Sequence, residues 1–153
     1  MSDCCDTRAA ITSGAVRCPI SGTKGKTVDP QTVKALLTER ALRRIVASSS
    51  HRFCPEPACE VVYFDEAGQA YSTSDIRVPV WQKEPFGDRI ICYCFGENEA
   101  DIRLEIEATG NSEAVERVRA HIEAGRCACE VRNPRGVCCL RDVADTVKRV
   151  GQR

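Results

Sequence analysis

Eleven cysteines in a chain of 153 residues are the feature that most limits how this sequence can fold. Six of them lie in the segment from Cys92 to Cys139. Two Cys-x-Cys pairs flank a stretch of 32 residues, and these pairs are Cys92 with Cys94 and Cys127 with Cys129. The stretch carries the apolar periodicity of two short helices. Because cysteines at its two ends meet only if the helices fold back, the sequence predicts a helical module closed around a metal centre.

The cysteines are expected to be metal ligands and not disulfides. Their number is odd, and residues 1–6 lack the basic and apolar regions of a secretory signal. We therefore predict a cytoplasmic protein in a reducing compartment. Lys plus Arg equals Asp plus Glu at 22 each, and no apolar run approaches the roughly 20 residues of a membrane span. Neither nucleic acid nor a membrane is predicted as a partner.

In the C-terminal half we predict a [2Fe–2S] cluster held by four thiolates. Cys92, Cys94 and Cys127 have the required spacing. Cys139 begins a further helix, where free N–H groups and the helix dipole favour a thiolate. The alternatives for these positions are Cys129 and Cys138. Zinc in place of iron also remains open, because thiolates suit both metals.

Helix signals surround these cysteines. Asn98 is a predicted N-cap of a helix to about residue 108, which Gly110 ends. A second helix is predicted from 111 or 112 to 124, and a third from 139 or 140 to 150. Pro85 and Gly87 mark a boundary, so we predict a helical [2Fe–2S] domain over residues 85–153.

The N-terminal half carries a second predicted metal site. Cys18-Pro19-Ile20-Ser21-Gly22 has the shape of a zinc-knuckle turn, and Cys54 and Cys59 enclose a loop with two prolines. We predict a tetrahedral Zn²⁺ bound by Cys18, Cys54 and Cys59. The sequence leaves its fourth ligand open, and the candidates are Cys5, Cys4 and His51.

Residues 1–84 are predicted to form a small α+β domain around this zinc. Asp29 and Pro30 open a predicted helix that runs to about residue 47. Residues 60–64 and 69–73 are predicted strands joined by a turn, and 77–81 a third strand. The predicted fold class is therefore α+β, a helix with an antiparallel hairpin, followed by the helical domain.

The cysteine pattern resembles two related families. A Cys-x-Cys pair, about 32 residues and a cysteine cluster before a helix resemble the bacterioferritin-associated ferredoxin-like [2Fe–2S] fold. The family's usual Cys-x-x-Cys pair is replaced here by the expanded run that begins at Cys127 and ends at Leu140. Together with Cys54, Cys59 and the strand after them, the pattern resembles the N-terminal region of CopZ-type copper chaperones, which carry zinc and [2Fe–2S].

This resemblance implies a role in copper handling, in which the cluster reduces Cu(II) to Cu(I) for transfer. It implies a copper ion or copper-transfer protein as a partner, and an electron donor or acceptor protein. Two departures stand out. Ser21 occupies the position of the family's second knuckle cysteine, and the Met-x-Cys-x-x-Cys loop of the copper-transfer domain does not occur in this sequence.

Two functional hypotheses follow. The first is one-electron transfer linked to copper handling. The alternative is a thiol-based metal chaperone or sensor that carries Cu(I) or another soft metal on spare thiols, which are Cys4, Cys5, Cys129 and Cys138. The sequence has no nucleophile–base pair and no phosphate loop, so a redox or metal-binding protein is favoured over a conventional enzyme.

Overall fold

The computed structural model describes residues 16–152, and the chain divides into two compact units. The N-terminal unit ends at Lys83 and the C-terminal unit begins at Glu84. Cys4 and Cys5 lie outside the described residues. Within the described part of the chain, no helix is both long and apolar enough to cross a bilayer.

A four-stranded antiparallel sheet organises the N-terminal unit, with its strands in sequential order. The strands are β1 (Lys26–Val28), β2 (His51–Phe53), β3 (Val61–Asp65) and β4 (Ala70–Ser72). The predicted hairpin is confirmed as β3 and β4. Strands β1 and β2 were not predicted, because each has only three residues and neither is joined to a neighbouring strand by a hairpin turn, as β4 is.

The central strand β3 is buried along its whole length. Val62 and Tyr63 belong to the larger apolar cluster of the unit, whereas Val61 and Phe64 pack with the cysteines. The Phe64 ring lies so close to Gly25 that a Cβ at Gly25 would be 2.5 Å from its Cζ atom. The segment before β1 therefore needs a residue without a side chain at this position.

The single helix predicted from Pro30 to residue 47 is wrong. The structure has α1 (Pro30–Leu36) and α2 (Glu39–Leu42), separated by Leu37 in an extended conformation. Leu37 forms a bridge with Ile76, and the Thr38 side chain accepts a hydrogen bond from the Ala41 N–H at 3.2 Å. Backbone pairing and a new N-cap thus outweigh the continuous apolar periodicity.

The third strand predicted at 77–81 is also wrong. Ile76 makes the isolated bridge just described, and the chain then turns into a short 3₁₀ helix, Trp81–Lys83. Val80 is buried in the main apolar cluster without strand pairing, and Val78 packs against the cluster partly buried. Burial alone had produced the strand-like pattern.

Four helices form the C-terminal unit, and these are α3 (Glu99–Thr109), α4 (Ala114–Glu123), α5 (Cys129–Arg132) and α6 (Leu140–Gly151). Both α3 and α4 pack against α6. The predicted ends of α3 are confirmed, because Asn98 accepts a hydrogen bond from the Asp101 N–H at 2.9 Å and Gly110 has φ of +84°. The predicted third helix is confirmed as α6. The four-residue α5 was not predicted.

Candidate metal centres

Three cysteine thiols gather in the N-terminal unit. Cys18, Cys54 and Cys59 are all buried, and their sulfur atoms lie within 4.8 Å of one another. The sulfurs of Cys18 and Cys59 are 3.8 Å apart. This is the one group of three or more metal-ligating side chains at such distances among residues 16–152.

Three separate turns present these thiols to one point. Cys18 begins a tight turn that two backbone hydrogen bonds of 2.9 Å close, one to Gly22 and one to Thr23. Gly22 supplies the positive φ of +74° that this turn requires. Cys54 directly follows β2 and donates its N–H to the Val62 carbonyl, and Cys59 closes the proline-containing loop.

The spacing of the thiols fits a tetrahedral zinc ion. With Zn–S bonds of about 2.3 Å, two thiolates on one tetrahedral zinc lie about 3.8 Å apart. The Cys18–Cys59 distance of 3.8 Å equals this value. The three thiols therefore have the chemistry to hold zinc, and the Cys18–Cys59 pair already has the required spacing.

Neighbouring groups act on the acidity of the thiols in opposite directions. Burial would raise the pKa of Cys18, but hydrogen bonds from the side chain and backbone of Ser21 outweigh it and bring the pKa to about 7. Burial raises the pKa of Cys54. The Lys83 ammonium donates to the Glu56 carbonyl at 2.7 Å and interacts electrostatically with all three thiols. Burial lowers the pKa of Lys83, and the charges of those thiols oppose the shift.

The residues that could supply a fourth ligand differ in how close they lie to the three thiols. His51 is buried on β2, its Nδ1 lies 3.0 Å from the Ser49 carbonyl oxygen, and it is not part of the three-thiol group. Ser21, which was not among the predicted ligands, has its Oγ atom 3.4 Å from the Cys54 sulfur. The sequence signal for Ser21 was its place in the knuckle turn.

In the C-terminal unit a tight turn presents the first two cysteines. The N–H groups of Ile91 and Cys92 both donate to the Glu97 carbonyl, and the Gly96 N–H donates to the Cys92 carbonyl at 2.8 Å. Gly96 has φ of +75°. Cys92 is buried, whereas Cys94 is half-buried.

Four of the six thiols in this unit interact in two pairs. The sulfurs of Cys94 and Cys129 are 3.7 Å apart, and the Ala128 N–H donates to Cys94 at 3.3 Å. The Cys139 thiol hydrogen-bonds Cys92 and lowers the pKa of Cys92 to about 6. The same hydrogen bond raises the pKa of Cys139, and burial together with Cys94 raises the pKa of Cys129 to about 12.

Cys127 and Cys138 lie beside these pairs and are more accessible. Cys127 is half-buried and Cys138 is exposed. Burial and the nearby charges of Cys94, Cys138 and Cys92 raise the pKa of Cys127. The structure thus pairs Cys94 with Cys129, one of the two alternatives, and among the described residues no three of the six predicted thiols form a group within 4.8 Å.

The long loop between Cys129 and Cys138 is organised by one buried amide. The Asn133 side chain donates to the Val137 carbonyl at 2.9 Å and accepts from the Arg135 N–H at 3.0 Å. The backbone carbonyl of Asn133 accepts a hydrogen bond from the N–H of Gly136, which has φ of +70°. This closed loop explains how an expanded cysteine spacing still returns Cys139 to Cys92.

A buried ion pair anchors the chain just before Cys92. The Glu99 carboxylate accepts from Arg89 Nε at 2.7 Å and from Arg149 at 2.6 Å, and it also accepts the backbone N–H groups of Gly87 and Arg89. Burial alone would raise the pKa of Glu99, but these donors bring it to about 2. Sequence reasoning missed this group, because one carboxylate among 22 acidic residues carries no distinguishing signal.

Comparison with known proteins gives a consistent result. A family described as "Zinc binding domain" (zf_CopZ) matches residues 15–77. The copper chaperone CopZ of Archaeoglobus fulgidus is 34% identical over 124 residues, which are 81% of this chain and 58% of that protein. The X-ray structure of the N-terminal domain of the same CopZ is 33% identical, with a TM-score of 0.66. That match covers 84% of this chain and 95% of the domain.

Proposed function

Because the chain belongs to the family of the CopZ N-terminal domain, we propose that it is a thiol-based metal-handling protein whose cargo is copper. The curated relative is named a copper chaperone, and the chain spans 58% of its length. The observation that carries the proposal is the collection of accessible thiols beside buried ones in the C-terminal unit. Copper binding by free thiols suits a reducing cytoplasm, where cysteines do not form disulfides.

Zinc has a structural role in this proposal. Cys18, Cys54 and Cys59 would hold the ion and tie together three turns of a unit whose strands are mostly three residues long. Small cores of this kind often depend on a metal for stability. Structural zinc contributes directly to folding, since the unfolded chain offers no preformed site.

Cys127 and Cys138 are the thiols best placed to carry Cu(I). Cu(I) is a soft ion that prefers thiolate ligands. These two cysteines lie outside both pairs, and Cys138 is exposed. Buried Cys129, which the sequence had offered as a spare thiol, instead lies 3.7 Å from Cys94.

The test is an anaerobic titration of Cu(I) against a competing chelator, with protein that is replete in zinc and iron. Wild-type protein should withdraw Cu(I) from the chelator. The variant with both Cys127→Ser and Cys138→Ser should lose this ability, whereas the control with Cys4→Ser and Cys5→Ser should keep it. The carrier role is refuted if wild-type protein binds no tighter than the chelator.

A second candidate function is one-electron transfer through a [2Fe–2S] cluster, and the two sulfur pairs support it. Such a cluster takes four cysteine thiolates, two on each iron. We propose that Cys92 and Cys139 form one pair and Cys94 and Cys129 the other. The bound cluster would supply one-electron chemistry, and the residues that hold it set its burial and hydrogen bonding. Donation from the Ala128 N–H to Cys94 is one such contact.

Visible absorption of anaerobically prepared, iron-replete protein tests this candidate. Wild-type protein should absorb in the visible range, and dithionite should bleach the band. Cys129→Ser should abolish the band, whereas Cys127→Ser should retain it. A colourless wild-type protein, or a band that depends on Cys127 and not on Cys129, would contradict the assignment.

A further inference from the structure

The zinc centre differs on its two sides. Cys18, Cys54 and Cys59 are 2%, 0% and 6% exposed, so the thiols form a buried half. Ser21 lies beside the group, with its Oγ atom 3.4 Å from the Cys54 sulfur, and it is exposed to solvent. The knuckle turn that carries Cys18 therefore places a hydroxyl next to the thiols, where a closed centre needs a fourth ligand.

The distance from the Ser21 hydroxyl to the Cys54 sulfur is close to that expected for an oxygen ligand. A tetrahedral zinc with bonds of about 2.3 Å to sulfur and about 2.1 Å to oxygen places the oxygen about 3.6 Å from each sulfur. Ser21 Oγ is 3.4 Å from the Cys54 sulfur. The Ser21 N–H also points to the Cys18 sulfur at 3.5 Å, which fixes the turn relative to the thiols.

A cavity of about 740 Å³ reaches this side of the centre. Ser21 and Cys59 both line it, so the cavity touches the metal-binding group itself. Its wall also carries the carboxylates of Glu56, Glu60 and Asp75. A molecule in the cavity can thus approach the position next to Ser21, and the acidic wall disfavours anions there.

We propose that the zinc centre has three thiolates and an open fourth position, occupied by water that the Ser21 hydroxyl binds or by the hydroxyl itself as a weak ligand that incoming donors displace. This inference rests on the proposed zinc ligation by Cys18, Cys54 and Cys59. Closed zinc sites have four protein ligands, whereas sites that exchange a ligand keep one position open. The centre takes a small neutral donor from the cavity, such as an imidazole group.

The local charge agrees with three thiolates. Zn²⁺ with three thiolates has a net charge of about −1, and a fourth thiolate makes it about −2. Lys83 interacts electrostatically with all three thiols, and its single positive charge balances the three-thiolate centre.

Zinc K-edge X-ray absorption tests the inference on the full chain loaded with zinc and iron. Wild-type protein should show about three sulfur ligands and about one oxygen or nitrogen ligand. Ser21→Cys should convert the centre to about four sulfurs, and Ser48→Cys, an exposed position, should not. Added imidazole should give its outer-shell scattering in wild-type protein and not in Ser21→Cys.

The variant with Cys4→Ser and Cys5→Ser decides between an open centre and one closed by the N-terminal segment. We expect its zinc spectrum to equal that of wild-type protein. About four sulfurs in wild-type protein, falling to about three in this variant, would overturn the open site and leave zinc binding intact. If the chain binds no zinc at all, the proposed ligation fails first, and the open site fails with it.

Discussion

Replacement of Glu99 by Gln tests how the C-terminal unit holds the segment that leads to its first cysteines. The carboxylate is 2% exposed, and Arg89 and Arg149 both donate to it. Glu99→Gln keeps the size of the side chain and removes its charge. Arg89, which is 9% exposed, is then left beside a neutral amide.

The expected loss of folding stability in Glu99→Gln follows from the lowered pKa of the Glu99 carboxyl. Its pKa falls from 4.5 to about 2, which corresponds to about 3 kcal/mol in favour of the charged form. Because the folded-state pKa is lowered, this stabilisation is fully present above pH 4.5 and disappears as the pH falls to about 2. The stability difference between wild type and variant should follow the same pH window.

Backbone hydrogen exchange, measured by mass spectrometry on metal-replete protein, is the assay. About 3 kcal/mol predicts roughly a hundredfold loss of protection in α3, after correction for intrinsic rates. Glu107→Gln is the matched control, since Glu107 is exposed on the same helix. Protection in Glu99→Gln within about threefold of wild type at pH 7 would refute the reasoning, because it would mean that the charge contributes under about 1 kcal/mol.

Three further predictions concern other parts of the molecule. Cys54→Ser should release zinc and unfold the N-terminal unit while the visible spectrum stays unchanged, and metal analysis that finds zinc retained would refute this. Gly25→Ala should destabilise the N-terminal unit by about 2 kcal/mol in urea unfolding followed by tryptophan fluorescence, because its Cβ would meet Phe64 at 2.5 Å. Arg117→Met should cost only about 1 kcal/mol, since its side chain is 39% exposed despite two glutamate partners, and hydrogen exchange in α4 would measure the loss.

The sequence predicted those elements whose signals are local. Asn98 and Gly110 mark the ends of α3 through capping chemistry that involves only neighbouring residues. The hairpin of β3 and β4 was readable because strong strand formers flank a turn. The helix after Pro30 was predicted too long, because the bridge between Leu37 and Ile76 joins residues that are distant in sequence.

The metal centres were predictable in outline but not in detail. Cysteine spacing predicted that Cys18, Cys54 and Cys59 meet, and these three thiols do lie together. Spacing cannot separate Cys127 from Cys129, because they are two residues apart and only the fold of the loop decides which contacts Cys94. The sequence also did not predict the roles of Glu99 and Asn133, because neither residue belongs to a cysteine motif.

We propose that this chain folds around two thiolate metal centres of different kinds. Analysis of zinc, iron and acid-labile sulfide in one anaerobic sample of the full chain decides this. We expect about one zinc, two irons and two sulfides per chain. Zinc at two sites with no iron or sulfide, or a folded protein that holds no metal, would contradict it.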